Sequence, residues 1–525
     1  MADNTNKKIS PELFTFVNMG ERLTDVKFDD KPIGYFKDAW IRFSKNKASV
    51  AAAIIIALIF VFSFSAPLLT KNENSFMDAF YAKKGPYIYG LNKKGFMDGG
   101  VVRDFSEVGL ISKAAIGVGA EDWDGHGATI EEGMKSLQQP LLEISEPETK
   151  LDAAKKEKRY YHGRINAYAE VGFLYKSIEQ FELQKMRDWE AETGLHLLYP
   201  LVEDNAYNVD PADANNWYKT KKYQPLYTNA KGKVKTLEVQ PGLEGLQLED
   251  NYKRDADGNP IYYEYTGGGT LETAAYKVRV LYSNYYIYKN GFEPRYFFGT
   301  DSQGYDLMLR LSGGLRLSLL LAVSVSIINF LIGAAYGAIE GFYGGLTDLL
   351  MERVSDILSG MPFIVIATLF QIHLAIKLGA IPCLIFAYIL NGWIGIAYRV
   401  RTQFYRFKKQ EFVLAAKTLG ARDRRLIWKH IFPNSLGTIV TSTALIIPNV
   451  IFNESMLSYL GIVKLGSSSM TSLGTLLADA SAIWTNYPHL MILPALFISL
   501  LMISFNLFGN GLRDAFNPSL RNVED

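Results

Sequence analysis

Cysteine is almost absent from this chain of 525 residues: Cys383 stands alone, inside an apolar run. One cysteine can form neither a disulfide within one copy nor a thiolate metal site. Histidine is scarce, with six in the chain, and no H-E-x-x-H pair sets two of them on one helical turn. No G-x-x-x-x-G-K-[ST] stretch occurs, so the chain does not cradle ATP phosphates itself. No G-x-S-x-G elbow is present and no nucleophile–base pairing stands out, which disfavours a hydrolase. A net charge of +1 gives no general attraction for nucleic acid or an acidic partner. Asp122, Asp124 and His126 could be read as a metal cluster, but their spacing is not that of a calcium loop. A solvated Asp-Gly turn is the simpler reading.

What the chain has is two unlike parts. One is a set of long apolar runs. The other, Lys71 to Arg295, holds 29 Lys/Arg against 34 Asp/Glu and is rich in tyrosine. Val50 to Leu69 is an uncharged run of spanning length. Nine Lys/Arg precede it, which predicts a cytoplasmic N-terminus. The basic start is too long for a signal peptide and no small-residue cleavage site follows, so this run is expected to stay as an anchor. Residues 33–48 carry Phe36, Ala39, Trp40 and Phe43 on one helical face among basic residues. They suit an interfacial helix, or merely the basic flank of the span.

The part from 70 to 297 is expected to be an α+β domain outside the cytoplasm. Gly85–Gly127 reads as strands and turns. Glu146–Thr193 reads as mainly helical, with Val171, Leu174, Tyr175 and Ile178 at i, i+3, i+4 and i+7. Asn205–Gly232 reads as loop, Asp257-Gly258 as a hairpin turn, and Val278–Tyr288 as the strongest strand. Further spans are expected at Arg316–Gly337, Ile357–Ile376, Ile381–Ala397, Ser435–Leu460 and Leu490–Phe508. Six spans return the C-terminus to the cytoplasm. Arg399–Lys429, with ten Lys/Arg, fits the inside; the loops holding Lys377 and Lys464 fit the outside.

Gln410–Asn434 is the most distinctive stretch. Phe412, Ala415, Ala416 and Leu419 form one apolar stripe, and Gly420 sits where a helix C′ glycine belongs. Asp423 opens a second short helix that Pro433 is expected to stop. Such a basic amphipathic handle could dock into a groove on another protein or rest on lipid headgroups. In the fifth span, Asn449 and Asn453 share a face with Glu454 adjacent. They could line a polar pathway or join helices by hydrogen bonds. Gly333-x-x-x-Gly337 suits close helix packing.

Phe297 to Asn522 resembles a permease subunit of the dipeptide/oligopeptide class of ABC importers, the C-type partner of the pair. Five stretches carry the resemblance. Phe298–Asp306 is similar to an FGTD-x-x-G-R-D segment, with Tyr305 for Arg. Gly341–Asp356 is similar to GYYGG-x-x-D-x-x-L-M-R-x-x-D. Glu411–Gly420 resembles the E-Y-V-E-A-A-x-x-L-G loop that docks into the ATPase, with Leu414 where Glu is usual. Glu454–Gly461 and Phe505–Asn517 resemble E-A-x-L-S-F-L-G and FNLLGDGLRDALD.

The resemblance implies a six-helix transmembrane bundle of the type I ABC importer permease fold with an inserted α+β extracytoplasmic domain. The expected organisation is a cytoplasmic N-terminus with an interfacial elbow helix (1–48), a first span (49–69), the inserted domain (70–297) and a permease core (298–525). It implies ATPase coupling through Glu411, Ala415, Ala416, Leu419, Gly420 and Arg424, and an outer gate region at Gly299, Thr300, Asp301, Gly304 and Asp306. The implied partners are a second homologous permease, two ATPase subunits that bind ATP and Mg, a substrate-binding lipoprotein and the lipid of a bacterial plasma membrane. No cofactor is expected in this chain. Oligosaccharides or metal chelates are alternative solutes, and a membrane-anchored receptor is an alternative class.

Overall fold

The computed structural model describes residues 35–516 apart from 74–75, 89–96, 123–127, 137, 139, 146–147, 152–156, 230, 238–246, 269–273, 464 and 468–469. The polar start, residues 1–32, and Asp124 and His126 lie outside the described residues.

Helix α1 (Tyr35–Lys45) is short and amphipathic. Ala39 and Phe43 are buried near the end of the chain, against Ala515 and Phe508, while Phe36 and Trp40 are exposed. A basic helix with exposed aromatic residues suits the headgroup layer of a membrane. Helix α2 (Lys47–Leu69) follows at once, its first turn capped by the Asn46 side chain, which accepts from the Ser49 amide.

Between α2 and the next long helix lies a domain of mixed structure, with α3 (Glu107–Glu121), α4 (Ile130–Lys135), α5 (Gln180–Thr193), α6 (Tyr282–Asn290) and three antiparallel sheets. Glu157–Asn166 is the central strand of the first sheet, beside Gly100–Ser106, Leu141–Ile144 and Glu148–Leu151. Ala275–Leu281 centres the second, between Phe173–Glu179 and Tyr263–Gly267. Gln224–Thr228 centres the third. Trp217, Phe173, Tyr199 and Tyr252 pack against α3, and the Trp217 indole donates to the Ala115 carbonyl at 2.8 Å. A second core is built of tyrosines, Tyr81, Tyr168, Tyr282, Tyr286 and Tyr296.

Periodicity alone misplaces parts of this domain. Glu146–Thr193 is helical only over α5; Glu148–Leu151, Glu157–Asn166 and Phe173–Glu179 are strands. Gly172 takes φ +63°, which ends any helix there, and burial of Phe173 against Tyr199 favours the extended form. Val278–Tyr288 divides at Leu281. Beyond it the chain turns helical, which puts Tyr282 and Tyr286 on one face, inside the tyrosine core. Gly85–Gly127 includes α3, capped by Ser106. Asn205–Gly232 is mostly turns, with short strands Thr220–Lys221 and Gln224–Thr228. The Asp257-Gly258 hairpin closes with the Asp255 amide 2.9 Å from the Asn259 carbonyl.

The membrane part begins with α7 (Leu307–Tyr343), α8 (Gly345–Ser359), α9 (Phe363–Leu378), α10 (Ala380–Asn391) and α11 (Ile394–Phe407). It continues with α12 (Glu411–Thr418), α13 (Asp423–Arg425), α14 (Phe432–Ala444), α15 (Ile446–Tyr459), α16 (Leu473–Ser481) and α17 (Pro488–Phe516). Among the described residues, five helical runs are long and apolar enough to cross a membrane: α2, α7, α10–α11, α13–α15 and α17. Helices α8 and α9 reach that standard only as a pair, and they bend by 71° at their junction. Ile357–Ile376, expected as one continuous span, therefore straddles a break. Pro362 cannot extend α8, and it starts α9 instead. Helix α7, with 37 residues, is far longer than the expected Arg316–Gly337. It forms the centre of the bundle. A Cβ at Gly333 or Gly337 would sit 2.7 or 2.2 Å from the carbonyls of Trp393 and Ala397, so α11 packs directly on α7.

Pro433 does not stop a helix. It sits in the first turn of α14, where its missing N–H costs nothing, and the chain runs from Asp423 to Ala444 through a π-helical turn over Leu426–Ile431. A second break falls at Leu445, between α14 and α15, because Pro448 has no amide to offer the Ala444 carbonyl.

Candidate functional site

Helix α12 rests on the bundle through Val413, which is buried, and Ala416, which is half-buried. They pack against Leu426, Ile427 and Ile431 of the following helix and against Val400 and Phe404 of α11. The expected stripe is therefore split. Phe412, Ala415 and Leu419 point away from the chain, Leu419 with 88% of its surface exposed. Leu414 is exposed beside them, as are Glu411, Arg422, Arg424 and Arg425. Gly420 turns the chain at φ +83°, a conformation that any residue with a Cβ adopts at a cost of about 1 kcal/mol. The product is an apolar knob with a basic rim, held by one buried valine.

The same end of the bundle contains an ionic cluster that sequence reading missed. The Arg401 guanidinium of α11 binds Asp348 of α8 in bidentate fashion, at 2.6 and 2.9 Å, and Glu352 at 3.0 Å. Glu340 near the end of α7 lies at 3.6 Å. Tyr405 also donates to Asp348, and the Lys408 ammonium donates to the Gly341 carbonyl at 2.9 Å. The available signal was the acidic run Glu340, Asp348, Glu352 and Asp356, which Arg353 alone could not balance. Helix α8 has no buried residue, so this cluster is its main polar attachment to α11.

Asn449 and Asn453 share a face, and Glu454 lies off it. Asn449 is exposed and Asn453 half-buried. Glu454 is fully buried and accepts from Ser318 of α7 at 2.7 Å and from Ser458 at 3.1 Å. A residue one position on is rotated about 100° around a helix. Glu454 thus joins α15 to α7, while the two asparagines lie on the uncovered side.

The 298–306 segment is a tight bracket. Asp301 accepts from the amides of Gln303, Gly304 and Tyr305, each at 2.9 Å, and pairs with the buried Arg310 at 3.2 Å. Arg310 also lies 3.8 Å from the Tyr305 ring, a cation–π contact available because Tyr305 is aromatic. Thr300 donates to the Tyr81 carbonyl and accepts from the Lys84 amide at 2.8 Å. Asp306 caps α7 and accepts from Asn72 at 3.0 Å and Thr70 at 3.2 Å. A Cβ at Gly299 or Gly304 would meet the Lys84 or Asp78 carbonyl at 2.2 or 2.0 Å. Nearby, burial pushes the Lys84 ammonium down to about 8, with the Glu170 carboxylate opposing. Among the described residues no group of three or more His, Cys, Asp or Glu side chains could hold a metal ion.

Residues 329–522 match the family model described as binding-protein-dependent transport system inner membrane component. Residues 34–86 match the N-terminal TM domain of oligopeptide transport permease C. The oligopeptide transport system permease protein OppC of Bacillus subtilis is 41% identical over 226 residues, which are 43% of this chain and 72% of that protein. This chain belongs to the oligopeptide and dipeptide transport permease family. The dipeptide permease DppC of Bacillus subtilis is 40% identical over 43% of this chain and 69% of its own length. OppC of Haemophilus influenzae is 42% identical over 44% and 72%. The permease is thus a multi-pass membrane subunit of a transport system, not an enzyme. A chain of the inward-facing MetNI methionine ABC transporter aligns over 40% of the permease and 98% of its own length, at 15% identity and a TM-score of 0.33. One family-model match ends at residue 86 and the other begins at 329, so most of the domain between α2 and α7 lies outside both.

Proposed function

We propose that this permease forms half of the pathway of an ATP-driven importer of oligopeptides, paired with a second permease. Two ATPase subunits bind ATP and Mg and act on it through residues 410–434. The observation that carries the coupling reading is the outward face of α12. Phe412, Ala415 and Leu419 are exposed with a basic rim, on a short helix seated firmly in the bundle through Val413. A helix presented in this way suits a groove on another protein. Glu411, Gly420 and Arg424 complete the surface, and Ala416 positions it from beneath.

Six spans follow if α8 and α9 count as one bent span, with both termini in the cytoplasm and the inserted domain outside. The ten Lys/Arg between Arg399 and Lys429 support that direction. A substrate-binding lipoprotein then docks on the inserted domain's side. Exposed polar Asn449 and half-buried Asn453 are costly against lipid, so they line the passage toward the second permease. The bracket around Asp301 and Asp306 fixes the outer end of α7 beside the entry. Receptor and other-solute readings are not favoured, because the named relatives are peptide transport permeases.

Ala415→Asp tests the proposal. It puts a charge in the exposed face without touching the buried one. We expect peptide uptake and ATPase co-purification to fall at least about tenfold, as for an unpaired charge in an interface, with normal levels of the chain in the membrane. Unchanged uptake and co-purification would refute coupling at this surface.

A further inference from the structure

A cavity of about 1170 Å³ lies where the C-terminal end of α2, the start of α7 and the inserted domain meet. Of the residues that the coupling and pathway readings use, only Asp306 lines it. Its floor is hydrocarbon: Leu58, Ile59 and Phe62 of α2, with Phe497 of α17. Leu58 and Leu69 line it too, and both are well exposed, on the side of α2 that the bundle leaves uncovered. Helix α2 is long and apolar enough to cross a membrane, and with α2 as a span this uncovered side of the cavity faces the acyl layer.

Its rim is polar and starts where the span stops. Thr70 and Asn72 are already committed to Asp306, and Arg295 is paired with Glu293 at 2.8 Å. Lys71 differs. It is exposed and pairs with no carboxylate among the described residues; its ammonium lies 5.6 Å from the Phe292 ring. An apolar slot at membrane depth, with a cation at the water level that is in no ion pair among the described residues, matches an amphiphile with an anionic head. It does not match a peptide, whose backbone amides need partners that this floor lacks.

We propose that this cavity binds one acyl chain of an anionic phospholipid from the adjacent leaflet, its phosphate at Lys71. The lipid would fill the seam between α2 and the inserted domain. Only α2 crossing the membrane is required, so the proposal stands whether or not residues 410–434 dock an ATPase.

Native mass spectrometry of the full permease assembly in mild detergent tests it. The probes are phosphatidylglycerol, phosphatidylcholine and a synthetic diacyl lipopeptide with an uncharged head. The variants are Lys71→Glu and Leu58→Trp, the first reversing the charge and the second narrowing the floor. Both positions are exposed, so neither change disturbs a packed core. We expect one phosphatidylglycerol retained per chain in preference to phosphatidylcholine, with retention on the order of tenfold weaker in each variant. Equal retention by both variants would overturn the proposal, and so would equal retention of the two phospholipids. Displacement by the neutral lipopeptide would assign the slot to a lipoprotein anchor, and displacement by a transported peptide to the solute. Either would also overturn it.

Discussion

Thr300 shows how single side chains tie the domain between α2 and α7 to the bundle. Its hydroxyl serves the Tyr81 carbonyl and the Lys84 amide, and it is fully buried. Thr300→Val keeps the shape and leaves both backbone groups unpaired. We expect a loss of about 1–3 kcal/mol, read as earlier thermal unfolding of the purified chain, with Thr300→Ser close to wild type. Lys84 adds a pH dependence. Its unfolded value is about 10.4, and burial lowers it to about 8 in the folded protein. Below about 8 both states are protonated and the full cost of burying the charge is present. As pH rises from about 8 to about 10.4 the unfolded chain holds more protons, so this group's contribution to stability rises. Lys84→Met should flatten that slope in unfolding experiments between these pH values; an unchanged slope would remove Lys84 from the account. At this scale the sequence was legible where chemistry is local, as at Gly420, read as a helix C′ glycine and found at φ +83°. It was silent on Arg401, whose partners lie 49 and 53 residues away.

Among elements, the informative cases are those where two readings of one pattern compete. The tyrosine run after Leu281 fits a strand by propensity, yet burial of Tyr282 and Tyr286 in one cluster selects a helix. Pro433 reads as a stop, but the first turn of a helix tolerates proline, so one long helix rises from Asp423. The apolar stripe of α12 was visible in the sequence. Which part of it faces the protein was not, because Val413 rather than Phe412 finds the hollow beside Val400 and Phe404. Helix α8 supplies the element-scale prediction. It has no buried residue, and its ion pairs to α11 all run through Arg401. Arg401→Gln leaves Glu352 without its cation and Asp348 with only the Tyr405 hydroxyl, and we expect a loss of about 1–3 kcal/mol, with faster hydrogen exchange confined to α8. Exchange unchanged in α8 would mean that other contacts hold it.

For the whole molecule, the alternation of long apolar runs with a basic stretch made a membrane bundle legible, and the ordered motifs from Phe298 to Asn517 made its family legible. The three sheets described between α2 and α7 were not, because their strands are short and pair across distant segments. The central claim is that residues 410–434 are the surface on which an ATPase acts, rather than a loop resting on lipid. A photoactivatable residue placed at Leu419, which is 88% exposed, tests this directly in membranes containing the whole assembly. The account predicts one major cross-linked product, between this chain and the ATPase subunit. Cross-linking to lipid alone, with the ATPase present and uptake intact, would contradict it.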